Sequence, residues 1–194
     1  MANLKRIYLL PEAEIADLYA RPVFNKSEQS LYFEMNQAEL DLLRQFGTTR
    51  TKVYFILQLA YFKAKNQFFT FKFDDVRSDV RYILDKFFKK EELLLGSITR
   101  QCVSEQKQEI LTLFNYQDWS AKQSILIEAH ICELLRYYPK GHDTFRQLLA
   151  YLDNKRIVIP TYRNLQDLFT KAFAKENERL AKLMALIPKI HQEC

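Results

Sequence analysis

The sequence predicts an all-α protein made of two small helical bundles in tandem, each with a helix-turn-helix-like unit. Three observations lead there. The 194 residues include only three glycines and five prolines, while Leu, Phe, Tyr, Lys, Glu and Gln abound, a composition that favours helix. Apolar residues recur at helical spacing along most of the chain. One segment breaks that period: Lys89-Lys90-Glu91-Glu92, followed by Gly96-Ser97. It separates an expected domain 1–92 from a second, 98–194.

The elements follow in order. Pro11-Glu12-Ala13-Glu14 opens a first helix, with proline at its start and carboxylates in its first turn. Ile15, Leu18 and Tyr19 form its apolar face. Asn25 or Ser27 caps a second, short helix containing Leu31, Tyr32 and Phe33. Asn36-Gln37-Ala38-Glu39 is a capping box for a third, with Leu40, Leu42, Leu43 and Phe46 buried and Gly47 at its C′ position. A long helix then spans Thr49 to Lys65, with Val53, Ile56, Leu57, Ala60 and Tyr61 at helical spacing. Phe68, Phe69, Phe71 and Phe73 mark an ordered loop whose rings plug the core. Asp74 and Asp75 cap the next helix, which turns Val76, Val80, Ile83, Leu84 and Phe87 inward.

The second half restarts at Ser97 or Thr99 with a helix carrying Val103, Ile110, Leu111 and Phe114. Trp119, a core anchor, precedes Ser120 and a helix carrying Ile125, Ile127, Ile131, Leu134 and Leu135. Pro139, Gly141 and Asp143 supply a turn and a cap for a helix with Phe145, Leu148, Leu149 and Leu152. After Asn154-Lys155-Arg156-Ile157-Val158-Ile159-Pro160 a last helix runs from Thr161 to Leu186.

Charge is informative only locally. Lys and Arg number 29 against 24 Asp and Glu, a net charge of +5. Between Asp41 and Asp74, however, there is no acid, while Arg44, Arg50, Lys52, Lys63, Lys65 and Lys72 are present. Lys63 and Lys65 suit a solvated helix end. Gln45-Phe46-Gly47-Thr48-Thr49-Arg50-Thr51-Lys52 reads as a turn opening onto a helix that begins with hydroxyls and cations. Free N–H groups and the helix dipole at such a start favour phosphate. A second acid-free stretch, between Asp153 and Asp167, repeats the layout with Lys155, Arg156, Thr161, Tyr162, Arg163, Asn164 and Gln166. Arg bridges guanine acceptors, Asn and Gln pair with adenine, and Tyr and Thr reach phosphates. A leucine-rich helix, a short turn and a polar, cationic helix start, met twice, fit helix-turn-helix units that place the second helix in a major groove.

Other chemistry is poorly represented. There is no glycine-rich phosphate loop, no Gly-x-Ser-x-Gly and no His-Glu-x-x-His. Asp74 and Asp75 read as caps and not as Mg²⁺ ligands. His130, Cys132 and His142 lack a fourth ligand and regular spacing. The three cysteines, Cys102, Cys132 and Cys194, fit reduced thiols. No enzymatic activity, metal or cofactor is expected of this piece. Phe55 and Phe62 are expected in the core, not as base-stacking platforms. No apolar run is long enough to cross a bilayer and Met1–Pro11 is too short for a secretory signal, so a cytoplasmic protein is expected.

The chain also resembles the N-terminal region of the Tn-three-family replicative transposases. The resemblance is carried by Leu9-Leu10-Pro11-Glu12-Ala13-Glu14-Ile15, Tyr32-Phe33, Arg50-Thr51-Lys52-Val53-Tyr54-Phe55-Ile56-Leu57-Gln58-Leu59-Ala60-Tyr61-Phe62-Lys63, Asp79-Val80-Arg81-Tyr82-Ile83-Leu84, Ile110-Leu111-Thr112-Leu113-Phe114-Asn115-Tyr116 and Arg156-Ile157-Val158-Ile159-Pro160-Thr161-Tyr162. It implies two helical domains that bind double-stranded DNA at the terminal inverted repeats, in a bacterial, nucleoid-associated protein. It also implies a later Asp-Asp-Glu catalytic domain that this sequence does not reach, and hence that the chain is an N-terminal piece. A homodimer formed through the full-length transposase is a further expectation. The competing expectation is a helical interaction or dimerisation module that holds transposase subunits together or binds another protein through an exposed aromatic face. Leu180, Leu183, Met184, Leu186 and Ile187 are expected to be exposed if the last helix reaches toward a following domain.

Overall fold

Capping side chains set most of the helix starts. The computed structural model describes residues 7–89, 93 and 97–190, with side chains as far as 186. Its helices are α1 Glu12–Tyr19, α2 Lys26–Tyr32, α3 Gln37–Gln45, α4 Thr49–Lys65, α5 Arg77–Phe87, α6 Arg100–Phe114, α7 Ala121–Tyr137, α8 Gly141–Asn154 and α9 Tyr162–Ile190. A turn of 3-10 helix, Phe73–Val76, precedes α5, and the described residues contain no strand. Asn25 and Asn36 close capping boxes with Glu28 and Glu39. Thr48, Thr99 and Ser120 cap α4, α6 and α7. Two details differ from expectation. Asp143 does not cap α8, which Lys140 precedes without a side-chain cap. Asp75 takes its bond from the Lys72 N–H and so caps the 3-10 turn.

The chain divides into two compact units, and the division is nested, not tandem. One unit joins Met1–Tyr19 to Asp118–Cys194; the other, Ala20–Gln117, is inserted between those parts. The expected domains 1–92 and 98–194 differ from this at both ends. Their boundary also falls largely on residues 90–92 and 94–96, outside those described. The physical reason is long-range packing. α6 belongs to the inserted unit because Gln106 donates to the Thr51 carbonyl (2.9 Å) and Phe62 meets Phe114 and Tyr116. α1 belongs with the later helices because Tyr162 and Gln166 bond the backbone just ahead of it.

In the inserted unit α4 is the central helix. Every side chain from Val53 to Phe62 is buried, on all faces. Phe55, Phe62, Tyr54 and Tyr61 are core residues, and the loop after α4 packs its rings on them. Phe71 stacks on Tyr54, Phe69 meets Tyr61 edge-on, and Phe68 lies on Phe62. A polar network runs through this interior. Asp79 accepts from Gln29 (2.9 Å) and Tyr61 (3.0 Å), and Arg21 donates to the Tyr61 oxygen (3.2 Å). Burial, with the Asp79 carboxylate next in weight, raises the Tyr61 phenol well above its ordinary range. Lys63 is not a solvated helix end: it is 19% exposed and pairs with buried Glu39 at 2.8 Å. Lys65 donates to the Ala20 carbonyl.

The discontinuous unit is built on α7, α8 and α9 around Ile127, Ile131, Phe145, Leu148, Leu165 and Phe169. Trp119 packs against that core as expected. Ile125 does not: it is 73% exposed. Tyr19 donates to the Pro160 carbonyl (2.9 Å), and burial raises its phenol above the ordinary range. From Leu180 to Leu186 every side chain of α9 is exposed.

Candidate nucleic-acid interface

The first basic turn lies between α3 and α4. Thr48 and Thr51 are consumed by the cap: the Thr51 N–H donates to Thr48 Oγ1 (3.2 Å), and Thr51 Oγ1 donates to the Thr48 carbonyl (2.8 Å). Arg44, on the last turn of α3, pairs with Asp41 at 2.6 Å, both exposed. Such an exposed pair is worth a few tenths of a kcal/mol, so Arg44 can exchange Asp41 for a stronger anion at little cost. Arg50 is half-buried, with its guanidinium over the Phe73 ring at 4.7 Å. Thr49 and Lys52 are half-buried too. This start offers cations and the positive end of a helix dipole, but only over its first turn. Because α4 is buried all round from Val53 onward, it cannot lie along a groove. The expectation that α4 lies in a major groove is therefore not met, since only its first turn is accessible.

The second basic turn joins α8 to α9. α8 ends with the Ile157 N–H bonded to the Leu152 carbonyl (2.9 Å) and the Arg156 N–H to the Asp153 carbonyl (2.9 Å). That closure puts Arg156 at φ 52°, a left-handed position that favours glycine. Ile157 is buried beneath it, whereas Lys155 and Arg156 are exposed. Thr161 Oγ1 accepts from the Asn164 N–H (3.3 Å) and so caps α9. Arg163 and Asn164 are exposed, and Lys171 lies further along the same helix, also exposed.

Two of the expected contacts have internal work instead. The Tyr162 hydroxyl oxygen accepts from the Leu9 and Leu10 N–H groups, each at 3.2 Å. Gln166 donates to the Ile7 carbonyl at 3.1 Å. Both fasten the N-terminal segment, and nothing in the local sequence announces it. The structure thus brings Arg44, Thr48, Thr49, Arg50, Thr51 and Lys52 to one end of the inserted unit. It brings Lys155, Arg156, Thr161, Arg163 and Asn164 to one turn of the discontinuous unit.

The other candidates do not converge. Asp74 pairs with Arg77, Asp75 caps, and Asp79 is buried in its own network. His130 stacks on Tyr151 while His142 meets Glu14. Among the described residues no group of His, Cys, Asp and Glu is placed to hold a metal ion, and no helix is long and apolar enough to cross a membrane.

A family model described as a domain of unknown function (DUF4158) matches residues 9–172. The chain belongs to the DUF4158 family. No curated protein matches it. The match takes in both basic turns of this DUF4158 chain, from Arg44 to Asn164, and parts of both units.

Proposed function

We propose that this chain is a double-stranded DNA-binding region that recognises terminal inverted repeats, as the N-terminal part of a Tn-three-family transposase. The reading is supported most by one observation. Each unit presents a cationic helix start after a short turn, half-buried on α4 and exposed on α9, where Arg163 stands beside Asn164. Arg163 and Asn164 are assigned to base edges. Arg44, Arg50, Lys52, Lys155 and Arg156 are assigned to phosphates. Thr48, Thr49, Thr51 and Thr161 shape the two starts. Two contacts on one chain raise avidity through local concentration. Strand transfer is assigned to an Asp-Asp-Glu domain of the full-length protein, outside these residues.

Substitution separates the two kinds of contact. Arg44→Ala and Lys52→Ala each weaken binding to all sequences alike and lower the slope of log affinity against log salt by about one. Arg163→Ala and Asn164→Ala weaken the end sequence by about 1–3 kcal/mol and scrambled DNA by much less. Equal losses on both DNAs would make the α9 start a phosphate clamp and not a reader.

The second reading is a helical interaction module. It is favoured by the exposed apolar side chains Leu180, Leu183, Met184 and Leu186 on α9. It predicts concentration-dependent dimerisation with little DNA affinity.

A further inference from the structure

Arg50, Tyr54 and Gln58 follow one another at four-residue intervals on α4 and so share one face of the helix. The loop after α4 is strapped along that face. Gln58 Nε2 donates to the Phe69 carbonyl (2.7 Å) and to Tyr54 Oη (2.9 Å), and Phe69 N–H donates back to Gln58 Oε1 (3.4 Å). α6 supplies the opposite wall with Val103 and Lys107, and Lys107 Nζ stands 5.3 Å from the Phe68 ring centroid. Between α4, the loop and α6 lies an open cavity of about 100 Å³, lined by Tyr54, Gln58, Phe68, Thr70, Val103 and Lys107.

The lining has aromatic and aliphatic walls, and its polar groups are mostly donors. Tyr54 oxygen accepts the Gln58 N–H, which leaves its own O–H hydrogen to donate. Burial raises that phenol above its ordinary range, so it keeps this hydrogen through neutral pH. Lys107 brings an ammonium group and Thr70 an exposed hydroxyl. The volume suits a single six-membered heterocycle better than a fused purine. Eight residues of helix, about 12 Å, separate Arg50 from Gln58. A strand whose phosphates meet the basic turn therefore reaches the cavity within roughly three or four nucleotides.

We infer that this cavity receives one unpaired pyrimidine base of DNA, thymine above cytosine, because thymine turns two carbonyl oxygens toward the donors. The inference rests on the DNA-binding reading of the inserted unit. The aromatic walls supply sequence-tolerant stacking, the donors supply the choice of base, and an already unpaired base avoids the cost of extrusion.

The test uses the full chain and three labelled duplexes, followed by fluorescence anisotropy. One duplex is fully paired, one carries a single bulged thymine and one a single bulged adenine. The bulged thymine is expected to bind about tenfold more tightly than the paired duplex, and the bulged adenine to show no such gain. In Val103→Phe, which fills the cavity, the ratio between thymine-bulged and paired duplex is expected to fall to one. Lys107→Ala, with an unchanged melting temperature, is expected to lower it severalfold. Equal affinity of the wild type for all three duplexes overturns the cavity assignment and leaves duplex binding standing. A thymine preference that survives both substitutions also overturns it. Failure to bind any of the three removes the DNA-binding reading itself, and the cavity assignment with it.

Discussion

Replacing Tyr162 with phenylalanine removes one oxygen and separates two roles for one residue. That oxygen accepts from two backbone N–H groups, Leu9 and Leu10, each at 3.2 Å. Leu9 and Leu10 are themselves buried, at 4% and 3% exposure, so water cannot readily replace the lost acceptor. Each net hydrogen bond is worth about 0.5–1.5 kcal/mol, and orphaned buried donors add to the loss. The ring itself keeps its edge contacts with Tyr19 and Phe145. Tyr162→Phe should therefore cost about 2 kcal/mol, read by urea unfolding of the discontinuous unit at unchanged m-value. DNA affinity, measured where the variant is fully folded, should keep its salt slope. Wild-type stability with weakened DNA binding would instead make the phenol a DNA contact and not a fastening.

Three further outcomes follow from the same geometry. Lys63→Ala leaves the Glu39 carboxylate buried without its ion-pair partner and should cost about 3 kcal/mol, read by the same unfolding assay. Arg156→Gly relieves the left-handed position at φ 52° and should stabilise by about 1 kcal/mol, while lowering the DNA salt slope by about one; unchanged stability would mean that Arg156 bears no strain. Tyr19 and Tyr61 have phenols raised above the ordinary value near 10, so the stability they lend is complete below that pH and is lost as pH rises through their higher folded values. In a spectrophotometric titration of the eleven tyrosines, these two should ionise last and together with unfolding.

The helices were legible because their signals are local. Asn25, Asn36, Thr48, Thr99 and Ser120 sit where a cap belongs, and each caps. The aromatic loop was legible too, since rings so close in sequence to a long helix have little else to cover. The nesting of the units was not, because it depends on pairs far apart in the chain, such as Gln106 with Thr51 and Tyr162 with Leu9. Lys63 looked solvated because its partner, Glu39, lies on the preceding helix, α3, far from it in sequence. The burial of α4 did have a signal: the run from Val53 to Phe62 is apolar or aromatic on every face save Gln58, the mark of a central helix. Of the candidate site, the cationic starts stood in the local sequence. The inward turn of Tyr162 and Gln166 did not, since a polar side chain at a helix start looks the same whether it faces solvent or a distant segment.

On the proposed reading the two basic helix starts hold a DNA end, and the α9 start reads its sequence. The most direct test of that reading is binding to duplex DNA bearing a transposon-end repeat against a scrambled duplex, at two salt concentrations. Tighter binding to the end sequence, persisting at the higher salt, is expected. Equal binding to both duplexes, collapsing as salt rises, would contradict that reading and leave only a basic surface.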